Sequence, residues 1–370
     1  MNERVLADED LIDRLRLIRS ENIGPALFDQ LLDRLGSAGA ALAALPELSR
    51  KGGLKRSIKI CGRAEAEAEI ARASALGARF VGRGQPGYPP LLCHIDSAPP
   101  LICVKGNTEL AEREAIAIVG SRNASATGRR LARLFASELA AGGYAIVSGL
   151  ARGIDTTAHE AALSRGTAAV IANGIDVAYP PENAGLQNAI AENGLLISEM
   201  PPGAEPRENS FPRRNRIISG MSRAVIIVEA ALRSGSLITA RLANEQGREV
   251  FAVPGSPIDP RAEGTNRLIS DGAHLLTRSQ EVLDVLLPMR SQVEKRATDL
   301  PAPGAPTALV VDTPARHTIL SLLGPAPTDV DDLIRESGVS AQIVLGVLLE
   351  LEIAGKLVRH GRQLVSLIES

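Results

Sequence analysis

The sequence predicts an α/β chain built on a doubly wound, largely parallel sheet, with a small helical module before it and a compact domain of helices and a hairpin after it. From about residue 82 to 288, short apolar runs alternate with Gly-rich turns and helical stretches. The runs are continuously apolar, as expected of strands that helices cover on both faces. They are Leu101 to Val104, Ala115 to Val119, Tyr144 to Val147, Ala168 to Ala172, Leu195 to Ser198, Ala224 to Val228 and Val250 to Val253.

The composition is that of a globular protein, with 45% hydrophobic and 23% charged residues in a chain of 370. Aromatic residues make up only 2% and Trp is absent, so the core must be aliphatic. The formal net charge of −2 excludes a globally basic coat for nucleic acid. Any site for a polyanion must therefore be a local cluster of arginines.

The cysteines and the hydropathy pattern indicate a cytoplasmic protein. Cys61, Cys93 and Cys103 are odd in number and lack C-x-x-C spacing, which favours buried thiols in a reducing compartment. The charged, amphipathic N-terminus does not resemble a secretion signal, and no apolar stretch reaches the roughly 18 residues of a membrane span. We expect no contact with a membrane.

The segment 1–80 is predicted to be helical. Apolar residues recur at helical spacing on both sides of a break at Asn22 to Pro25, and an Ala-rich helix follows from Ala64 to Leu76. The stretch IGPALFDQLL after the break resembles a helix-hairpin-helix, whose turn amides can hold a phosphate. Ordinary helix packing is the alternative.

Residues 289–313 are rich in Pro, Ala and Ser and are predicted to be a flexible linker. Beyond them, residues 314–370 predict a winged-helix-like domain with three short helices and two strand-like runs around a Gly turn. The third helical stretch, Ser340 to Gly355, carries no Lys or Arg and includes Glu350 and Glu352. Because helices that read the major groove are basic or amide-rich, its apolar face is expected to contact protein.

Ligands of open parallel sheets bind beyond the carboxyl ends of the strands, so the loops there are informative. After Ala115 to Val119 come Gly120, Ser121 and Arg122 at the start of a helix. Glycine admits an anion to the backbone, the helix amides favour it, and Arg122 can grip two phosphate oxygens. This pattern predicts a phosphate-binding turn, with a plain Ser-capped turn as the alternative.

The second loop, SGLARGIDTTAH, places Arg152 and Gly153 before another helix and predicts a second phosphate contact. Asp155 is expected to cap that helix and His159 to make an internal hydrogen bond. Catalysis by this pair is the less favoured interpretation, because no Ser or Cys nucleophile forms a recognisable set with it.

The loop before FPRRNRIISG carries the clearest signal for nucleic acid. Arg213, Arg214 and Arg216 crowd the start of a helix, and Phe211 beside them either stacks on a base or anchors the core. Another helix begins with small polar residues that are suited to an anion, namely Ser234, Gly235 and Ser236.

Several function classes lack their motifs. The chain has neither G-x-G-x-x-G nor G-x-x-x-x-G-K-[ST], and no acidic residue follows the next strand to hold a ribose. We therefore expect no cofactor, no metal and no catalytic residue. A phosphoribohydrolase-type nucleotide hydrolase remains the alternative, although its P-G-G-x-G-T stretch is replaced here by Arg233 to Leu237. A dinucleotide-dependent oxidoreductase fits the sequence less well still, because both its glycine fingerprint and its ribose-binding acid are missing.

The ordered motifs GSRNASATG, SGLARGIDTTAH, FPRRNRIISG and EAALRSGSLITA resemble the DNA-processing protein A (DprA/Smf) family over residues 82–288. The resemblance implies an extended Rossmann-like domain that binds single-stranded DNA without catalysis, forms a homodimer and loads RecA recombinase during natural transformation. It leaves open a contact with single-strand-binding protein. DNA contacts would fall on Gly120, Ser121, Arg122, Phe211, Arg213, Asn215 and Arg216.

Overall fold

The computed structural model describes residues 8–293, 313–360 and 363–368. Its contacts divide the chain into two compact units. The sheet unit contains the described residues 69–293, and the terminal unit combines residues 8–68 with those after residue 312. Within the described residues, every helix is too short or too polar to cross a lipid bilayer.

The sheet unit contains a nine-stranded sheet in the order β1-β2-β6-β5-β4-β3-β7-β8-β9. Only the two pairings of β2, with β1 and with β6, are antiparallel. The predicted doubly wound, largely parallel sheet is thus confirmed. The strands are β1 Arg79–Gly82, β2 Leu101–Gly106, β3 Ala115–Val119, β4 Ala145–Ser148, β5 Thr167–Ile171, β6 Leu195–Ser198, β7 Ala224–Ile227, β8 Glu249–Ala252 and β9 His274–Leu275.

Helices connect the parallel strands and cover both faces of the sheet. On β3, Ile116 and Ile118 belong to one buried cluster, whereas Ala117 and Val119 belong to another on the opposite face. Two buried faces explain why the strand runs are continuously apolar. The helices along this part of the chain are α4 Arg63–Ala75, α5 Ala126–Ala141, α6 Ile154–Ala162, α7 Ala184–Asn193, α8 Ser210–Gly220, α9 Gly235–Glu245, α10 Glu263–Ser270 and α11 Ser279–Val293.

The predicted linker, residues 289–313, overlaps a helix at its start, so this boundary is wrong. Helix α11 continues to Val293, so residues 289–293 are helical despite Pro288. The rest of that segment, up to residue 312, lies outside the described residues.

The terminal unit has two groups of elements from distant parts of the chain. Pro25 occupies the first turn of α2, where its missing N–H costs nothing, and the Ser37 hydroxyl caps α3. The predicted three helices and hairpin of the C-terminal segment are present, together with a short third strand. The elements are α1 Asp8–Arg19, α2 Pro25–Leu35, α3 Ala38–Lys51, α12 Thr313–Leu322, β10 Thr328–Asp329, α13 Val330–Ser337, α14 Ala341–Ile353, β11 Leu357–His360 and β12 Leu364–Leu367.

Helix α14 joins the two groups. Leu349 and Ile353 are buried in the core of the N-terminal helices, whereas Val347 is buried with the C-terminal elements. The Asn22 side-chain amide donates to the Ile353 carbonyl at 3.1 Å. The prediction that this apolar face contacts another protein is therefore wrong for Leu349 and Ile353, because this chain's own N-terminal helices cover them.

The two acidic residues that set α14 apart from a DNA-reading helix are both paired within the terminal unit. Glu350 is buried and pairs with Arg316. Glu352 accepts a hydrogen bond from Arg359 at 2.9 Å. The two contacts link α14 to α12 and to β11.

His159 lies on α6 in the sheet unit and is fully buried. Its Nδ1 is 2.7 Å from the Thr167 hydroxyl, which in turn donates to the Ile146 carbonyl. The expected internal hydrogen bond of His159 is confirmed. Burial, aided by the charge of Arg214, lowers the pKa of this imidazole to about 3.

The low pKa of His159 predicts acid sensitivity. The unfolded chain binds a proton near pH 6.5 and the folded protein near pH 3, so this group's contribution to stability is complete above pH 6.5 and is lost as the pH falls. We expect about 2 kcal/mol less stability at pH 5 than at pH 7 from this residue. Urea unfolding of the wild type and of His159→Gln at both pH values isolates the effect. An unchanged difference between the two proteins would contradict it.

The α14 packing predicts a second stability effect. Ile353→Ala should lower the free energy of unfolding by about 2 to 5 kcal/mol, because it leaves a cavity in the shared core. Amide hydrogen exchange should show that α1, α2 and α3 lose protection together with α14. Leu345, also on α14, is 45% exposed, so Leu345→Ala is the matched control. It should change the free energy of unfolding by less than about 0.5 kcal/mol. Loss of protection in α14 alone would contradict the shared core.

Candidate nucleic-acid interface

Two adjoining clefts lie at the carboxyl ends of the parallel strands. The larger, about 520 Å³, lies between the loops that follow β3 and β7, where the strand order changes direction; we call it the switch cleft. The second, about 410 Å³, lies over the ends of β4 and β5; we call it the aromatic cleft. The two share lining residues Arg122, Asn123, Ala151, Phe211 and Arg214. Together they form one continuous depression at the position where open α/β sheets bind ligands.

The first predicted loop lines the switch cleft with Gly120, Ser121 and Arg122. Arg122 is exposed, and no carboxylate among the described residues is within ion-pair distance of it. The backbone at Gly153 lies directly against this loop, and a Cβ there would be 2.3 Å from the Ser121 carbonyl oxygen. Its φ of +78° also favours glycine. Gly153 therefore permits a close approach of two loops and offers no side chain to DNA.

The N-terminus of α5 does not take the phosphate that the sequence predicts there. The Ser125 hydroxyl caps the helix by accepting from the Gly128 amide at 2.9 Å. The Glu229 carboxylate, from the loop that follows β7, accepts from the Ser125 amide at 2.9 Å and from its hydroxyl. This carboxylate already occupies the anion position at the helix end, so that part of the prediction is wrong.

The N-terminus of α9 faces the switch cleft instead. Ser234 caps this helix, and Gly235 and Ser236 lie beside it in the cleft lining. Arg233 is exposed next to them, and no described carboxylate pairs with it. The cleft therefore places two unpaired guanidinium groups, those of Arg122 and Arg233, beside a helix end that favours anions.

Arg214 is a buried guanidinium beneath both clefts, with 7% of its surface exposed. Its Nη1 donates to the carbonyl oxygens of Gly149 and Val170, at the ends of β4 and β5. Burial lowers the pKa of Arg214 to about 10, with the nearby Asp155 carboxylate acting in the opposite direction. The Nε atom has no hydrogen-bond partner in the structure. Arg214 thus fixes the floor of the site.

Asp155 does not cap α6 as expected. The helix begins at Ile154 with Gly153 as its N-cap residue, and the Asp155 carboxylate reaches back to the amides of Gly149 at 3.1 Å and Ala151 at 3.4 Å. Burial raises the pKa of this carboxyl above its usual value. Asp155 therefore stabilises the backbone of the second loop.

The other two arginines of α8 differ in exposure. Arg213 is exposed and lines a smaller cavity of about 110 Å³. Arg216 is only 8% exposed, and its Nη2 donates to both Glu199 oxygens at 2.6 Å. The prediction that Arg216 grips a phosphate does not fit this geometry, since its charge is neutralised inside the protein. Asn215 lines the switch cleft and donates to the Gly235 carbonyl at 3.4 Å.

Two aromatic rings form one wall of the aromatic cleft. The Phe211 and Tyr179 ring centroids are 5.5 Å apart at 42°, and the Arg122 guanidinium carbon is 5.2 Å from the Phe211 centroid. Phe211 lies outside the buried clusters, so its alternative interpretation as a core anchor is wrong. Tyr179 was not predicted as a site residue. Its loop carries no periodic pattern, and the only signal was an aromatic residue in a polar loop of an aromatic-poor chain.

Arg152, the second predicted phosphate contact, lines the aromatic cleft and is exposed. It pairs with Glu182 across the rim. A hydrogen bond from a backbone amide, together with this contact, lowers the pKa of Glu182. The Arg152 charge is therefore partly neutralised.

Comparison with known proteins identifies related chains. A family model described as DNA recombination-mediator protein A matches residues 79–287, and models for a DprA-like N-terminal HHH domain and a DprA winged helix domain match residues 8–72 and 301–361. Protein Smf of Escherichia coli is 42% identical over 277 residues, which cover 72% of each chain. DNA processing protein DprA of Streptococcus pneumoniae is 48% identical over 198 residues, covering 53% of this chain and 70% of that one.

Solved structures agree. The X-ray structure of DNA processing protein A from Streptococcus pneumoniae matches with a TM-score of 0.62 and 37% identity, over 74% of this chain and 96% of that one. The Helicobacter pylori protein, studied for its single-stranded DNA binding mode, matches with a TM-score of 0.52 and 32% identity, over 57% and 96%. Because the family model spans more than half of the chain and covers both clefts, the chain belongs to the DNA recombination-mediator protein A family.

Proposed function

We propose that the chain binds single-stranded DNA in the switch and aromatic clefts and, without catalysis, helps to load RecA recombinase onto it. The observation that carries the proposal is the pair of unpaired guanidinium groups, Arg122 and Arg233, beside the N-terminus of α9. This combination suits a phosphate backbone. The Helicobacter pylori relative, with its single-stranded DNA binding mode, supports the same ligand. In this proposal the predicted segment 82–288 is the DNA-binding domain.

The aromatic wall favours a single strand over a duplex. In a duplex the base faces are stacked on each other, whereas a single strand can present them to protein rings. Phe211 and Tyr179 line the same depression as the cations, so backbone and bases can be held together. Phe211 keeps its predicted role of base contact, and Arg213 that of a phosphate contact at the edge of the site.

The carboxylates around the clefts are engaged in structural contacts, which supports binding without catalysis. Asp155 accepts from loop amides, Glu199 from Arg216 and Glu229 from Ser125. Among the described residues, no group of three or more His, Cys, Asp or Glu side chains could hold a metal ion. We therefore propose that the chain acts with no cofactor and leaves the DNA chemically unchanged.

We propose that the recombinase is RecA, that the chain acts in the cytoplasm as a homodimer joined through the sheet unit, and that single-strand-binding protein is a further partner. The match to the DNA recombination-mediator family supports a recombinase as the main partner. Pull-down of RecA by the full chain in the presence of single-stranded DNA tests the main interaction. Equal recovery of RecA on a bare resin would oppose it.

Filter binding of the full chain to a single strand, a duplex of the same sequence and a nucleoside monophosphate tests the ligand class. The single strand should bind most tightly, and all three ligands should be recovered intact after long incubation with stoichiometric protein. Tightest binding of the monophosphate, or its steady hydrolysis, would favour the nucleotide hydrolase instead.

Replacing Arg122 by Ala should weaken binding of the single strand by about 1 to 3 kcal/mol, because a charge-assisted phosphate contact is lost from an unpaired guanidinium. Arg133→Ala, which removes the same charge from an exposed position on α5 outside the cleft linings, is the matched control. Fluorescence anisotropy measures both. If the two variants bind alike, the first loop does not contact DNA.

Replacing Glu182 by Gln should tighten binding about two- to fivefold, because Arg152 is freed from an exposed ion pair that DNA must otherwise disrupt. The slope of log affinity against log salt should steepen by up to about 0.7, the value for one further phosphate on a single strand. Glu160→Gln, an equal charge change at an exposed position on α6, controls for the general field. A steeper slope in both variants would assign the effect to net charge alone.

A further inference from the structure

A carboxylate of the chain itself closes the N-terminus of α5, where the loop after β3 ends. In open α/β sheets a helix end at this position commonly holds the phosphate of a nucleotide, because its amides donate to the anion. Here the Glu229 carboxylate accepts from the Ser125 amide at 2.9 Å and from the Ser125 hydroxyl. That hydroxyl in turn accepts from the Gly128 amide at 2.9 Å. The carboxylate thus makes contacts that a bound phosphate would otherwise make.

The backbone of α5 leaves room for this carboxylate. A Cβ at position 128 would lie 2.5 to 2.7 Å from the carboxylate atoms of Glu229, so glycine at this position provides the space that the group fills. Glu229 and Ser125 are 104 positions apart and follow β7 and β3, the two strands at which the strand order changes direction. The contact therefore closes the helix end from the opposite side of the switch point.

The closed helix end keeps both its donors and an unneutralised negative charge. The amides of Ala126 and Thr127, in the first turn of α5, have no hydrogen-bond partner among the described residues. No Lys or Arg of the described chain lies within ion-pair distance of Glu229. A phosphate that approached these amides would therefore meet an unpaired carboxylate and be repelled.

We propose that Glu229 is a specificity-determining residue, which closes the α5 N-terminus to phosphate monoesters and so keeps free nucleotides out of the first loop. The inference rests on the proposed function and adds to it the rejection of free nucleotides. The terminal phosphate of a nucleotide carries nearly two negative charges at neutral pH, whereas a phosphodiester of a strand carries one, so Glu229 repels the nucleotide more strongly. The strand is left to Arg122 and Arg233 of the switch cleft.

Inorganic phosphate is the probe for the closed helix end, and Glu229→Ala is the variant that opens it. Isothermal titration of the full chain, at an ionic strength held constant with sodium chloride, should show that the variant binds phosphate roughly 3- to 30-fold more tightly than the wild type. This range is the effect of an anion at a helix N-terminus. Phosphate should raise the Tm of the variant, and in the variant alone it should shift the amide resonance of Ser125.

Glu138→Ala is the matched control, because Glu138 also lies on α5 and also accepts from a serine hydroxyl, that of Ser279. It should bind phosphate as weakly as the wild type does. A folded Glu229→Ala protein without the gain, a gain shared with Glu138→Ala, or an unmoved Ser125 resonance would overturn the proposal. If Glu229→Ala does not fold, Glu229→Gln keeps an acceptor for Ser125 without the charge; it should show a smaller gain, and no gain would overturn the proposal.

Competition measures the effect on strand selection. A nucleoside monophosphate, added at constant ionic strength, should displace a labelled single strand from Glu229→Ala at a concentration that leaves the wild-type complex intact. Equal displacement from both proteins would contradict a role of Glu229 in selection. Failure of the wild type to bind the strand would overturn the proposed function alone, because the phosphate titrations contain no DNA.

Discussion

The buried Arg214 guanidinium is the interaction on which the site depends. Its bonds to the carbonyls of Gly149 and Val170 tie the ends of β4 and β5 to α8. Glycine at position 149 leaves room for this guanidinium, because a Cβ there would lie 2.3 Å from Arg214 Nη1 and would displace it. A buried cation is costly unless it is paired and hydrogen-bonded. The nearby Asp155 carboxylate supplies an opposing charge. Arg214 lines both clefts, so the shape of each depends on this buried contact.

Acidic residues shape the site as strongly as the arginines do. Glu229 occupies the N-terminus of α5, Glu199 neutralises Arg216 and Glu182 partly neutralises Arg152. With these carboxylates in place, Arg122 and Arg233 are the exposed guanidinium groups of the switch cleft, and no described carboxylate pairs with them. A chain of net charge −2 thus offers a polyanion a local cluster of cations in place of a general positive field.

The sheet could be predicted from the sequence because strands covered on both faces are apolar without interruption, and β2 to β8 are of this kind. β9 has only two residues and carries no pattern that sequence periodicity could detect. The sequence shows that α8 carries a group of arginines, but it does not show which of them are buried and which are exposed. Which of them is buried depends on the phase of α8 and on partners far away in sequence, such as Glu199 for Arg216. The contact of Glu229 with Ser125 spans 104 positions and leaves no local trace.

The packing of α14 onto the N-terminal helices has a consequence for biosynthesis. Asn22 and the residue that it hydrogen-bonds, Ile353, are 331 positions apart in the sequence. The N-terminal helices α1 to α3 therefore leave the ribosome long before α14, which completes their core. At about 5 to 20 residues per second, that interval lasts roughly 15 to 65 seconds. During it, the nascent N-terminal segment exposes the apolar surface that α14 later covers, and exposed surface of this kind is what chaperones bind.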